Sequence, residues 1–243
     1  VSKTLAYYAL RDALSEAGCA VCRLKTRAIE RYLDGLLWEN VNDPDVRREI
    51  RRAQGFCHEH AWGLARHGAS LGAAILMRDA LQNVLGALRD ARCQALPDAP
   101  LRRALRSLDH GRQPASAAEL LARLTPSAAC PACAQGEEME RIYLDTLMEH
   151  LLGEDGLLAT YEASDGLCLP HFRQVISRAQ EETAFSAMVN AQRRIWERLL
   201  AQLSEFIRKN DYRFRDEPVG EEGDAWLRAI AALAGAQRES ERQ

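Results

Sequence analysis

Cys130-Pro131-Ala132-Cys133, completed downstream by Gly166-Leu167-Cys168-Leu169-Pro170-His171, is the stretch from which the architecture can be read, because the chain carries it twice. The earlier copy is Cys19-Ala20-Val21-Cys22 with Gly55-Phe56-Cys57-His58-Glu59-His60. Cys130, Cys133, Cys168 and His171 lie 111 positions after Cys19, Cys22, Cys57 and His60, so 34 residues separate the inner cysteines in both copies. At the same offset Tyr143-Leu144-Asp145 falls on Tyr32-Leu33-Asp34, Leu147 on Leu36, Gly166 on Gly55 and Met188 on Met77. A four-ligand set and its intervening helix aligned without a gap point to an internal duplication.

The residue types point to metal chemistry. A Cys-x-x-Cys turn brings two sulfurs to one point, and Cys-x-x-His at the start of a following helix adds a sulfur and an imidazole nitrogen. Four such ligands in a tetrahedron suit Zn²⁺, with protein filling every position and none open to water, as in structural sites. Each copy is therefore expected to close its own Cys₃His centre: Cys19, Cys22, Cys57 and His60 in the first, Cys130, Cys133, Cys168 and His171 in the second. Two zinc ions are the expected cofactors, with an iron–sulfur cluster as the alternative. Unmetallated thiols or redox-active pairs are the competing reading, but a Cys-x-x-Cys switch needs no histidine and leaves the recurrence of His60 and His171 unexplained. His58 also neighbours Cys57, yet its counterpart is Leu169, which favours His60. Cys93 falls on Ser204 and reads as an inert buried thiol.

Around the ligands the hydrophobic pattern has helical period. Ile29, Tyr32, Leu33, Leu36 and Leu37 mark one face of a helix over 25–40. Asp43-Pro44-Asp45 supplies a cap and a proline start for a short helix buried through Val46 and Ile50. Further helices are expected from 4 to 18, from 60 to 67, over 71–88 and over 185–203, the last two pairing, with a final one near Trp226, Ile230 and Leu233. Residues 94–129, holding Pro97, Pro100, Pro114 and Pro126, read as a connector with two short helices. No useful stretch alternates with the period of a strand. The expected fold is all-α: an internally duplicated helical bundle of two metal-clipped units related by pseudo-two-fold symmetry. Its parts are helical repeat 1 (1–93), the connector (94–129), helical repeat 2 (130–204) and a C-terminal tail and helix (205–243).

Composition narrows the function classes. An apolar fraction of 47% with 28% charged residues describes a globular chain rather than a disordered one. No apolar run approaches the roughly 18 residues that span a bilayer, and the first residues lead directly into an amphipathic pattern, so no membrane association and a cytoplasmic setting are expected. Seven cysteines in such a setting are better explained as metal ligands or redox groups than as disulfides. A net charge of −3 argues against nucleic acid as a partner. Arg47, Arg48, Arg51 and Arg52 form a local basic patch whose plain reading is a solvated helix face.

Several residues invite a role and have a plainer one. Asp34 and Asp145 recur on one helix position and can hydrogen-bond the ligand histidines, or be exposed helix carboxylates. Arg23 or Lys25 can offset the negative charge of three thiolates. Tyr32 and Tyr143 suit core packing, and His67, His110 and His150 read as surface residues. No phosphate-cradling glycine loop, nucleophile elbow or His-Glu-x-x-His helix occurs, and no residue is assigned as catalytic.

The chain resembles a bacterial family of helical proteins known only as a domain of unknown function. The likeness rests on the twin motifs, on Arg31-Tyr32-Leu33-Asp34, Asn42-Asp43-Pro44, the Ala61-Trp62 and Phe172 that follow the ligand histidines, and the tail from Glu205-Phe206-Ile207-Arg208-Lys209 to Tyr212-Arg213-Phe214. It spans nearly the whole chain and departs at Ala20, where the second copy has Pro131. It implies a bacterial cytoplasmic protein and brings no activity with it. The expected function is that of a non-enzymatic scaffold or regulatory protein with two zinc sites and a partner-binding tail near Tyr212–Phe214. The alternative is a redox sensor or electron-transfer protein.

Overall fold

A computed structural model of the chain describes residues 3–89, 117–214 and 216–236. These residues form eleven α-helices and no strand, as an all-α fold requires. In chain order they are α1 (Leu5–Leu14), α2 (Ala20–Trp38), α3 (Pro44–Arg52), α4 (His58–Trp62), α5 (Ser70–Arg89), α6 (Ala117–Leu124), α7 (Pro131–Glu149), α8 (Leu158–Ala163), α9 (Leu169–Ile176), α10 (Glu182–Lys209) and α11 (Ala225–Ala234). Local chemistry sets several starts. Thr4 Oγ1 accepts from the Tyr7 N–H at the head of α1. Asp43 Oδ1 accepts from Asp45 N at 2.8 Å and Val46 N at 3.1 Å, with Pro44 as the first residue of α3. Each cap satisfies backbone donors that a helix start leaves open.

The chain divides into two compact units: residues 1–28 with 136–243, and residues 29–135. In unit 1 a continuous core joins Leu10 and Leu14 of α1, Leu144, Leu147 and Leu151 from α7 and the turn after it, Val175 of α9, and Met188, Ala191 and Ile195 of α10. The α10 series repeats at i, i+3 and i+7, one face of a helix. α10 packs on α8, α9 and α11. In unit 2 the core is Leu33, Leu36 and Leu37 of α2, Ile50 of α3, Leu64 of the turn after α4, Leu76 and Ala80 of α5, and Ala132 at the start of α7. α5 packs on α3 and on α6.

This division corrects the expected one. Repeats over 1–93 and 130–204 would each have been a unit, but the boundaries fall inside α2, after Ala28, and inside α7, after Gln135. Both helices have 19 residues and are therefore about 28 Å long. The Cys-x-x-Cys end of each is too far from its other end for both to enter the same core. The tail is likewise no separate part, since α11 packs on α9 and α10 within unit 1. Each of the two long helices packs on partners within its own unit. Of the two short helices expected over 94–129, α6 is observed, and the other lies outside the described residues together with Cys93 and His110. The helix expected to reach residue 67 stops at Trp62.

Leu147 is fully buried and Leu200 is 62% exposed. Leu147→Ala should lower unfolding stability by about 2–5 kcal/mol in a urea titration. Leu200→Ala should stay within about 0.5 kcal/mol of the parent.

Candidate metal centre

All eight expected ligands are brought into two clusters, but the partners are exchanged. Cys19 and Cys22 meet Cys168 and His171, and Cys57 and His60 meet Cys130 and Cys133. Within each cluster the ligand atoms lie within 4.8 Å of one another. The expectation that each copy closes its own centre is thereby corrected: the Cys-x-x-Cys of one copy is completed by the Cys-x-x-His of the other. The cause is the length of α2 and α7, which carries the following segment away from the helix start. Each centre lies wholly within one unit, the first in unit 1 and the second in unit 2.

Helix starts build both centres. Cys22 and Cys133 lie in the first turns of α2 and α7, each one residue-triplet after Cys19 and Cys130. Cys168 and Cys57 are the N-cap residues of α9 and α4, in extended conformation and with no side-chain capping bond. Their sulfurs turn instead toward the cluster. Two residues earlier, Gly166 (φ +72°) and Gly55 (φ +106°) make the left-handed turn that aims each cysteine, a conformation strained for any side chain. Each cluster thus gathers thiolates at two helix N-termini, where free N–H groups and the helix dipole favour negative charge.

The distances fit a tetrahedral ion. In unit 1, His171 Nδ1 is 3.3 Å from Cys19 Sγ, 3.4 Å from Cys22 Sγ and 3.1 Å from Cys168 Sγ, and the Cys22 and Cys168 sulfurs are 3.7 Å apart. In unit 2, His60 Nδ1 is 3.2 Å from Cys57 Sγ, 3.6 Å from Cys130 Sγ and 3.3 Å from Cys133 Sγ, with 3.7 Å between the Cys57 and Cys133 sulfurs. Metal–sulfur bonds of roughly 2.3 Å in a tetrahedron place sulfurs about 3.8 Å apart. Both sulfur pairs match that edge, and 3.7 Å is far beyond a disulfide bond. The six cysteines of the two clusters are free thiols.

The surroundings of the unit 1 centre were not foreseen. Glu140 of α7, buried, faces the outer nitrogen of the ligand imidazole, with Oε1 3.5 Å from His171 Nε2. Lys25 and Gln174 donate to the same carboxylate. Burial raises the Glu140 pKa, but the bonds from His171, Lys25 and Gln174 outweigh it and hold the value down to about 2. Burial also opposes charge on His171, yet the Cys168 and Cys22 sulfurs and Glu140 favour it enough to push its pKa up to about 11. A divalent cation held at Nδ1 would supply a positive charge that these neighbours favour. A carboxylate on the far nitrogen fixes the ring and its tautomer, the common support for a metal-bound histidine.

Three backbone ties hold the ligand loops of this centre. Asp165 Oδ2 accepts from Gly18 N at 2.6 Å, joining the loop before Cys168 to the loop before Cys19. Leu167 N donates to Tyr161 Oη at 3.2 Å and to Gln192 Oε1 at 3.1 Å, and Tyr161 Oη in turn donates to Gln192. In unit 2, Ser127 N donates to Arg52 O at 2.9 Å and Gln54 Nε2 to Arg123 O at 2.6 Å.

Other expected roles are reassigned. Asp34 pairs with Arg66, and Asp145 with Arg178 at 3.0 Å, so both are half-buried helix carboxylates engaged by arginines. Arg23 donates to the carbonyls of Ala13, Glu16 and Ala17, closing the end of α1, whereas Lys25 serves Glu140. His58 stacks edge-on near Trp62 and stands outside the cluster. His150 is buried against Tyr7 rather than exposed. Three of the four arginines of the basic patch are engaged: Arg47 with Val41 O, Arg48 with Asp45 and Arg51 with Asp79. Glu140 was legible only in principle, since its counterpart is Ile29 and no repeat flagged it.

Fold and centre together define an all-helical protein with two Cys₃His clusters able to hold metal ions. The chain belongs to the family of unknown function DUF6062, whose model matches residues 2–240. An uncharacterized 23.9 kDa protein encoded in the xynA 3′ region of Caldicellulosiruptor sp. (strain Rt8B.4) is 26% identical over 226 residues, 91% of this chain and 97% of that protein. No solved structure matches. None of the helices among the described residues is long and apolar enough to cross a membrane.

Cys168→Ser tests the exchanged pairing. Measured by elemental analysis with alkylation mapping, it should remove one metal equivalent and expose Cys19 and Cys22 to alkylation, while Cys130 and Cys133 stay protected. Ligand sets closed within each copy would give the opposite pattern of protection.

Proposed function

We propose that this protein is a non-enzymatic helical scaffold or regulatory protein in which two zinc ions clip helix starts together. The observation that carries the reading is the pair of complete four-ligand sets, each converging on one point. All four positions come from protein, so no place is left for a reacting water, and the metal's work is to fasten chain segments. Convergence on a single point also favours one ion over an iron–sulfur cluster, whose cysteines must spread around several metal atoms. We further read the matched helix starts, N-cap cysteines and left-handed glycines of the two centres as products of an internal duplication, with the units related by pseudo-two-fold symmetry. A bacterial cytoplasmic setting agrees with the thiol-rich ligand sets.

The partner surface we assign to the tail. Tyr212 is 80% exposed, beside Phe214, which lies under the Arg208 guanidinium at 4.6 Å. Arg208 is engaged by Glu205 and Glu217, and Arg213 by Asp211, so these two arginines beside the aromatic surface are already matched. A protein partner suits such a surface better than nucleic acid.

Protein purified without air should contain two zinc ions per chain by elemental analysis, and a strong chelator should remove them with loss of helical circular dichroism. Far fewer than two metals per chain would end the reading. A coloured preparation rich in iron and sulfide would replace it with the electron-transfer alternative.

A further inference from the structure

α11 sits on unit 1 the wrong way round for a core helix. It packs on α9 and α10 through small residues: Ala225 is fully buried, and Ala231 and Ala232 line a cavity of about 330 Å³. Its large apolar side chains, Trp226, Leu227, Ile230 and Leu233, turn outward and are 46% to 63% exposed. The groups whose burial would stabilise the helix most therefore contribute little to holding it on the body. The attachment is also uneven along its length. Just before the helix, Lys209 Nζ of α10 donates to the buried Glu222 carboxylate at 2.7 Å. In its middle, Arg228 donates to Gln202 Oε1 of α10 at 2.7 Å and to Glu221 O at 2.6 Å. Beyond Arg228 the helix borders the cavity, and its end reaches the metal centre, where a Cβ on Gly235 would stand 3.8 Å from Cys22 Sγ. Cys19 and Cys168 lie in the wall of the same cavity, together with Gly18 and Asp165, which tie the two ligand loops to each other.

On the reading that unit 1 holds a metal ion, we propose that α11 is the gate of this centre. It hinges at Glu222–Ala225, is latched by Arg228, and on opening turns the cavity into the route by which the ion enters and leaves. A centre closed by four protein ligands needs such a route. One ligand of the set lies under the end of α11 and two more border the cavity, so a single movement uncovers three of the four. Elements that open are drawn from those with few buried apolar contacts, and α11 has turned its apolar side chains away from the body.

The test uses the full chain loaded with zinc. A chromophoric chelator follows metal loss, N-ethylmaleimide alkylation mapped by mass spectrometry assigns it to a centre, and amide hydrogen exchange follows α11. In the parent, the amides of α11 should exchange faster than those of α10 between Met188 and Ile195. Arg228→Ala should speed exchange in α11 and speed alkylation of Cys19, Cys22 and Cys168 about 10-fold, the scale of a lost hydrogen bond to a charged group. Met188 to Ile195 of α10, and alkylation of Cys57, Cys130 and Cys133, should keep the parent rates. Faster exchange in α11 with no change at the unit 1 thiols would overturn the proposal, as would acceleration of α10 and both centres together, or no change in either. An α11 as well protected as α10 in the parent would overturn it without any variant. A chain that takes up no zinc would instead overturn the reading of the centre on which the gate rests, a result distinct from each of these.

Discussion

Three thiolates gathered at one point repel one another, and the structure depends on how that charge is met. Each centre meets it with the positive ends of two helices, and each is completed by an imidazole and, in the proposed state, a dication. In unit 1 the requirement propagates outward. A bound ion would need His171 deprotonated at Nδ1, His171 then offers its Nε2 side to Glu140, and Glu140 accepts from Lys25 and Gln174 while buried. α2, α7 and α9 are held together along this one chain of contacts. Apolar packing supplies the bulk of each core, but it has no direction of its own. The ligand geometry supplies that direction.

Much of this was legible from residue spacing. The eight cluster residues, the choice of His60 over His58, the helical class and the capped start of α3 at Asp43 and Pro44 all follow from patterns that act locally or recur at a fixed offset. The exchange of partners was not legible, because a repeat states which residues are alike and not which are neighbours. A helix of 19 residues between a Cys-x-x-Cys and the next ligand pair was the clue, since its length separates what the spacing seems to join. Glu140 escaped for the converse reason. It breaks the repeat, and a lone glutamate in a helix has the same appearance whether it faces solvent or an imidazole. Asp34 and Asp145, which do recur, proved to be surface partners of Arg66 and Arg178. Recurrence marked what both units share, and the individuality of unit 1 lay where recurrence failed.

The burial of polar groups in unit 1 follows the same division. Tyr161 and Gln192 are almost fully buried, yet they spend their hydrogen bonds on one backbone N–H, that of Leu167, immediately before a ligand. Buried polar side chains are costly unless paired; here the Gln192 Oε1 and Tyr161 Oη pairing holds the backbone just before Cys168, while Gln192 Nε2 is left without a partner. In unit 2, Ile50 packs in the core, Ser127 N donates to Arg52 O and the Gln54 side chain donates to Arg123 O.

The exchange of ligands also gives the chain an order of assembly. The ligands of unit 2, from Cys57 to Cys133, lie wholly within the interval from Cys22 to Cys168, so the two closures are nested rather than crossed. Cys57 to Cys130 spans 73 positions and Cys22 to Cys168 spans 146, a doubling that by itself costs the outer loop only about 0.6 kcal/mol more. On a ribosome the difference is larger in kind, because residues 29–135 emerge complete while Cys19 and Cys22 still await their partners. Unit 2 can then close as an inset in a chain whose ends are free, and its closure shortens the effective path between the two halves of unit 1. A protein built this way has a first clasp and a last clasp, set by the linear order of its ligands.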